Sequence, residues 1–191
     1  AAYAPATNAA KPSAGQWQLL TGSMNVYGML VAGQHPLQYN KKLNAISFIH
    51  RKSDFYNESP QLPATARSGV VLAEVSTNGG TTWDSTCIYA NASNWGRYPQ
   101  GAIYNPNGNS SIANAQVIGC GVTVDNSGFS GSWYASKPLS SFNSTAGTLT
   151  AQQQFYSFNQ GPYSTTMPRH GWMYQGFMIT DDGIIHASGV Q

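Results

Sequence analysis

Apolar and polar positions along the chain fall into short runs separated by turn-forming residues, and the runs have the length of β-strands. Residues 43–50 (Leu-Asn-Ala-Ile-Ser-Phe-Ile-His) read as a strand buried on both faces. Residues 69–75 (Gly-Val-Val-Leu-Ala-Glu-Val) and 86–90 (Thr-Cys-Ile-Tyr-Ala) flank a glycine-rich corner and predict a hairpin. A second unit opens near Tyr98, runs through residues 115–124, turns over residues 125–128 and returns along residues 132–135. Within it Ile118, Cys120, Val122 and Val124 alternate with smaller residues, a period of two. A third unit holds residues 171–179, a Thr-Asp-Asp-Gly turn at 180–183 and residues 184–186, where Asp182-Gly183 is a strong two-residue hairpin signal. Trp133 follows its turn as Trp83 follows the first.

The three turns lie near residues 79, 127 and 182, a beat of about fifty residues that matches one propeller blade. The expected fold is therefore all-β, a β-propeller with three to four blades present. A β-sandwich, which places turns every ~8–12 residues without the longer beat, ranks second. A closed propeller takes roughly 4–8 blades, and an open fan would leave strand edges unpaired. The chain is thus expected to be the N-terminal part of a larger propeller, or one whose ring another chain completes. Residues 1–15, rich in Ala, Pro, Ser and Asn and without periodicity, are expected to be an extended segment preceding a partial propeller domain over 16–191.

Composition narrows the function classes. Charged residues make up 8% of the chain, against about 25% in ordinary soluble domains. Gly (20), Pro (10), Tyr (11) and Trp (5) suit short strands joined by many turns. Net charge is +2, with no basic cluster beyond Lys41-Lys42 and Arg51-Lys52, so nucleic acid is not an expected partner. No apolar run approaches the roughly 20 residues that span a bilayer, so no membrane insertion is expected. The first residues have neither the charged nor the apolar region of a signal peptide, and an Ala-Ala-Tyr start without methionine suits a mature exported product. Cys87 and Cys120 sit in apolar contexts that favour two buried free thiols, with a single disulfide left open.

The glycine-rich corner reads Ser76-Thr77-Asn78-Gly79-Gly80-Thr81-Thr82-Trp83. Asn-Gly-Gly accepts the positive φ of a tight turn, and Ser76, Asn78 and Thr82 can hydrogen-bond the turn backbone. Trp83 is expected to return its ring to the core. At Ser76, Asn78, Gly80, Thr82 and Trp83 the segment resembles the Asp-box, or BNR repeat, of sialidase-like β-propellers, with Asn78 where Asp is usual. In that family the box lies on the outer rim, away from the active centre. Residues 43–51, 68–71, 97–106 and 131–137 are similar to the propeller domains of large secreted Bacteroidetes proteins, and the resemblance covers roughly residues 17–191. It implies a secreted or cell-surface location, with export through the type IX secretion system.

Candidate chemistry is thin. A sialidase needs an arginine cluster, a Tyr/Glu nucleophile pair and an Asp acid. The acids are Asp54, Glu58, Glu74, Asp84, Asp125, Asp181 and Asp182, and of these only Glu74 falls inside a strand, with a partly exposed edge expected for it. No catalytic residue is assigned. Arg97-Tyr98-Pro99 is similar to the Arg-Ile-Pro signature of sialidase propellers, although it follows the box here; packing of Arg97 over Tyr98 or Trp95 is the plainer reading. Trp95, Arg97, Tyr98, Arg169, His170 and Trp172 are the candidate ligand-binding residues, since flat rings and neutral amides suit sugars. His35, His50, His170 and His186 are scattered and Cys87 and Cys120 lack metal spacing, so neither a metal nor a cofactor is expected. The expectation is a secreted binding or structural module whose partners are the remaining blades and glycans or other cell-surface proteins. A sialidase-type hydrolase and a passive cargo or filament subunit stay open beside it.

Overall fold

The structure is a computed structural model and describes residues 20–24, 35–53, 69–142, 152–157, 171–180 and 183–190, with the backbone alone for 152–157, 171–176 and 187–190. The expected segment 1–15 lies outside these residues. The fold is all-β. Strands β1 (Leu37–Asn40), β2 (Ala45–Arg51), β3 (Val71–Ser76) and β4 (Asp84–Tyr89) form one antiparallel sheet in chain order. Strands β5 (Trp95–Tyr104), β6 (Gln116–Asp125), β7 (Gly128–Pro138) and β8 (Gln152–Ser157) form a second, again in chain order. Strands β9 (Gly171–Ile179) and β10 (Ile185–Val190) pair as a third. Single 3-10 turns lie at Ile112–Asn114 and Leu139–Ser141.

The sheets stack in a repeated way. Strand β5 packs on β1 and β2, and β9 packs on β5 and β6. The first strand of each later sheet therefore lies on the first two strands of the sheet before it. Among the described residues the stack does not close into a ring. This repeat differs from the fifty-residue beat. The three turns belong to the β3–β4, β6–β7 and β9–β10 hairpins, which are the third, second and first hairpins of their sheets. The first two sheets are four-stranded meanders and the third pairs two strands among the described residues, and their first strands open at unequal intervals, at Leu37, Trp95 and Gly171.

The core between the first two sheets explains the apolar runs. Ala45, Ile49, Val71, Ala73, Val75 and Tyr89 of one sheet face Ile103, Val117, Trp133 and Ala135 of the other. Trp133 is fully buried, and its ring stacks on Tyr89 at 4.7 Å. It lies flat because Gly121, opposite it on β6, has no side chain: a Cβ there would come 2.8 Å from Trp133 Nε1. Burial on both faces holds for all of β3 but only for the end of β2, where Ile46 and Phe48 are half-buried. Lys137 of β7 also crosses the interface. Its Nζ donates to Thr86 Oγ1 at 2.7 Å and lies 5.2 Å over the Phe142 ring, and burial draws the ammonium below its ordinary pKa.

Candidate functional site

The start of β5 gathers three of the predicted binding residues. The connection into it is an Asx turn in which Asn91 Oδ1 accepts from the amides of Ser93 and Asn94, both at 2.9 Å. Tyr89 fixes the turn through its hydroxyl, which donates to the Asn94 carbonyl at 2.8 Å. Trp95 follows, half-buried, with Nε1 donating to the Ala92 carbonyl at 3.1 Å. The indole face is thereby set, and the Arg97 guanidinium lies over it at 5.9 Å. Arg97 Nη1 donates to the Gly96 carbonyl at 2.9 Å. Burial lowers the Arg97 pKa, with an opposing pull from Tyr98.

Between Arg97 and Gln100 the β5–β6 ladder shifts register. Tyr98 sits in this bulge at φ 47°, a left-handed backbone that a bulky residue rarely takes. Pro99 follows, and a residue before proline is pushed towards extended backbone, so the conformation stores roughly 1–3 kcal/mol of strain. The Tyr98 ring lies 6.5 Å from Phe129, which opens the return strand of the β6–β7 hairpin and is 40% exposed. Trp95 pairs with Val124 and Val124 with Phe129, so one lateral row of the sheet brings Trp95 and Phe129 to the same end. Sequence reasoning missed Phe129. Its position directly after the Asp125–Gly128 turn was the available signal, because a residue at a hairpin tip is held where a ring can stay exposed.

The structure does not join the other candidates to this cluster. Arg169 and His170 lie outside the described residues, and Trp172 lies on β9 with its side chain undescribed. Glu74 is buried on an inner strand, not partly exposed at an edge. Its register opposite Phe48 and Ser85 aims its carboxylate at two polar neighbours: Oε1 lies 3.0 Å from His50 Nε2 and accepts from Ser85 Oγ at 3.1 Å. His50 Nδ1 faces the Arg51 carbonyl at 3.1 Å, and its ring stacks on Phe48. Both cysteines are free and buried, and burial pushes each thiol up to about 12. Among the described residues no three His, Cys, Asp or Glu side chains cluster as metal ligands.

Residues 76–83 form a loop that its own side chains cross-link. Ser76 Oγ accepts from the Gly80 amide at 2.7 Å and donates to Asn78 Oδ1 at 3.0 Å. Asn78 Oδ1 also accepts from the Thr82 amide at 2.9 Å, while Asn78 Nδ2 donates to Thr82 Oγ1 at 2.8 Å. Gly79 and Gly80 supply the positive φ, 70° and 93°. The Gly79 amide anchors the loop to the β1–β2 turn by donating to the Asn44 carbonyl at 2.8 Å. Trp83 corrects an expectation: it is half-buried and folds back on the loop, Nε1 donating to the Gly80 carbonyl at 3.1 Å, while Trp133 fills the core.

No family model, curated protein or solved structure matches the chain.

Proposed function

We propose that the chain is part of a secreted or cell-surface β-propeller that acts as a binding module in a larger extracellular protein, with glycans as its ligands. The successive stacking of two four-stranded meanders and a two-stranded hairpin supports the architecture, since the middle sheet packs against both of the others. The side-chain bonding of residues 76–83, on the hairpin that leads to the edge strand β4, supports its reading as an Asp-box with Asn at the Asp position. Remaining blades, from the same or another chain, would complete the ring.

The observation that carries the binding role is the platform of Trp95, Arg97, Tyr98 and Phe129 around a strained bulge. Sugar C–H faces stack on rings of this kind, and a guanidinium beside them favours a carboxylate or sulfate on the sugar. Backbone strain that neighbours must hold in place recurs at ligand sites. The hydrolase alternative lacks comparable support, because Glu74 is enclosed between His50 and Ser85. The test is a glycan array with the wild-type chain, followed by titration of its best acidic saccharide. Trp95→Ala is expected to weaken binding about tenfold to a hundredfold, the worth of one stacked ring with its cation. An array that stays blank, or a Trp95→Ala variant that binds like the wild type, sinks the proposal.

A further inference from the structure

We propose that Asn107 is a site of spontaneous deamidation, and that the fold protects Asn78 from the same reaction. The dipeptide Asn-Gly occurs twice, at 78–79 and at 107–108. A following glycine opens asparagine to this chemistry because no side chain obstructs the approach of its amide nitrogen to the asparagine Cγ. At residues 107–108 the Gly108 nitrogen loses its proton and bonds to Asn107 Cγ, and the Cγ–Nδ2 bond breaks to release ammonia. The cyclic imide then takes up one water at either carbonyl, leaving aspartate or isoaspartate. Water is the only co-reactant.

The two copies of the dipeptide are held differently. At Asn78 both reacting groups are restrained: the side-chain amide bonds Ser76 and Thr82, and the Gly79 amide donates to the Asn44 carbonyl. Attack requires these bonds to open together. Asn107 and Gly108 are exposed at the tip of a turn, and a Cβ on Gly108 (φ 74°) would meet nothing within 4 Å. That turn is closed by the Asn109 amide donating to the Pro106 carbonyl at 3.0 Å, a bond that involves neither reacting group. Its neighbours are restrained: Asn109 Nδ2 donates to Asn105 Oδ1 at 2.6 Å and to the Ser111 carbonyl at 2.8 Å. The reaction is thereby focused on position 107.

The place matters because the third sheet packs beside it. A Cβ on Gly183, in the β9–β10 turn, would lie 2.9 Å from the Asn105 carbonyl oxygen. Isoaspartate at 107 adds a backbone carbon and a negative charge two residues from that contact, so ageing of the protein is expected to loosen the joint between the second and third sheets.

The test is incubation of the folded chain at mildly alkaline pH, with peptide mapping by mass spectrometry and isoaspartate quantified at each site. Position 107 is expected to convert about tenfold or more faster than position 78, which corresponds to a loop-opening free energy of about 1.4 kcal/mol. In guanidinium the two rates are expected to converge. Thr82→Val, which removes the Asn78 Nδ2 acceptor, is expected to speed conversion at 78 and leave 107 unchanged. Equal rates in the folded protein, faster reaction at 78, or a difference that survives unfolding would each overturn the proposal.

Discussion

The loop at 76–83 and the bulge at 97–100 both take the backbone into the left-handed region, and they do so by opposite means. In the loop the positive φ falls on two glycines, and Ser76, Asn78, Thr82 and Trp83 direct their hydrogen bonds inward to fix it. In the bulge it falls on Tyr98, a bulky residue before a proline, and the surrounding strands must hold it there. A locally satisfied segment is an element of architecture and needs no ligand to explain it. A segment whose conformation is imposed from outside stores free energy, and half-buried Trp95, Arg97 and Tyr98 collect beside it with the exposed Phe129. The contrast separates the part of the molecule that specifies the fold from the part that offers chemistry.

The largest expected effect tests the loop's self-sufficiency. Ser76 is fully buried and its hydroxyl serves Gly80, Asn78 and the Asn78 carboxamide at once. Ser76→Ala is expected to destabilise the chain by about 3 kcal/mol, at roughly 1 kcal/mol for each bond lost, as read by urea denaturation. A loss under about 1 kcal/mol would show that strand pairing holds the loop and that its side chains are incidental.

Each region also borders a buried thiol, which makes alkaline pH a probe of both. Cys87 lies in the strand leaving the loop, and Cys120 pairs with Gln100, the residue that closes the bulge. Both thiols are raised from 9.0 to about 12 by burial, so the folded state keeps its protons where the unfolded state loses them. Their contribution to stability is complete below about pH 9 and is lost as pH climbs from there towards 12. At pH 10 the expected loss is on the order of 1 kcal/mol per thiol relative to pH 8. Denaturation at the two pH values, in wild type and in Cys87→Ala and Cys120→Ala, checks this, each substitution removing one share. Tyr89, also raised by burial, adds loss of the same sign at higher pH.

Gly80→Ala sharpens the comparison at smaller scale. Space is available, since the added Cβ would approach Ile46 Cδ1 at 3.5 Å, and the penalty is conformational. About 1 kcal/mol of destabilisation is expected from the positive φ alone. A neutral result would mean that the loop relaxes to another turn.

The strands with apolar runs and the glycine corner were legible because burial and positive φ leave direct marks on sequence. Strand β1 was not, because as an edge it alternates exposed Leu37 and Tyr39 with half-buried Gln38 and Asn40 and carries no buried side chain. Strand β8, Gln-Gln-Gln-Phe-Tyr-Ser, has glutamines where an apolar face would announce a strand. The turn spacing misled for a related reason: turn residues report local backbone needs, and non-equivalent hairpins of successive sheets meet those needs alike. Glu74 was placed at an edge because charge predicts exposure, whereas cross-strand register supplies His50 and Ser85 as partners that only the fold brings near. Trp95, Arg97 and Tyr98 were found together because they are adjacent in sequence. Phe129 joins them through β6, a relation that spacing along the chain does not carry.

The smallest expected change in stability is the most diagnostic of the bulge. Asparagine tolerates the left-handed backbone far better than tyrosine does. Tyr98→Asn should therefore recover strain of about 1 kcal/mol while forfeiting a similar amount of aromatic contact with Phe129. Net stability is expected to stay within about 0.5 kcal/mol of wild type, while saccharide binding falls by at least about tenfold. Calorimetry on one preparation can measure both quantities. A Tyr98→Asn chain that loses several kcal/mol would place the ring in the framework with Trp133, and the left-handed backbone would then follow from core packing. A chain that keeps both stability and binding would mean that the strained tyrosine serves neither, and the division between a fold-making loop and a ligand-facing bulge would fail at its second half.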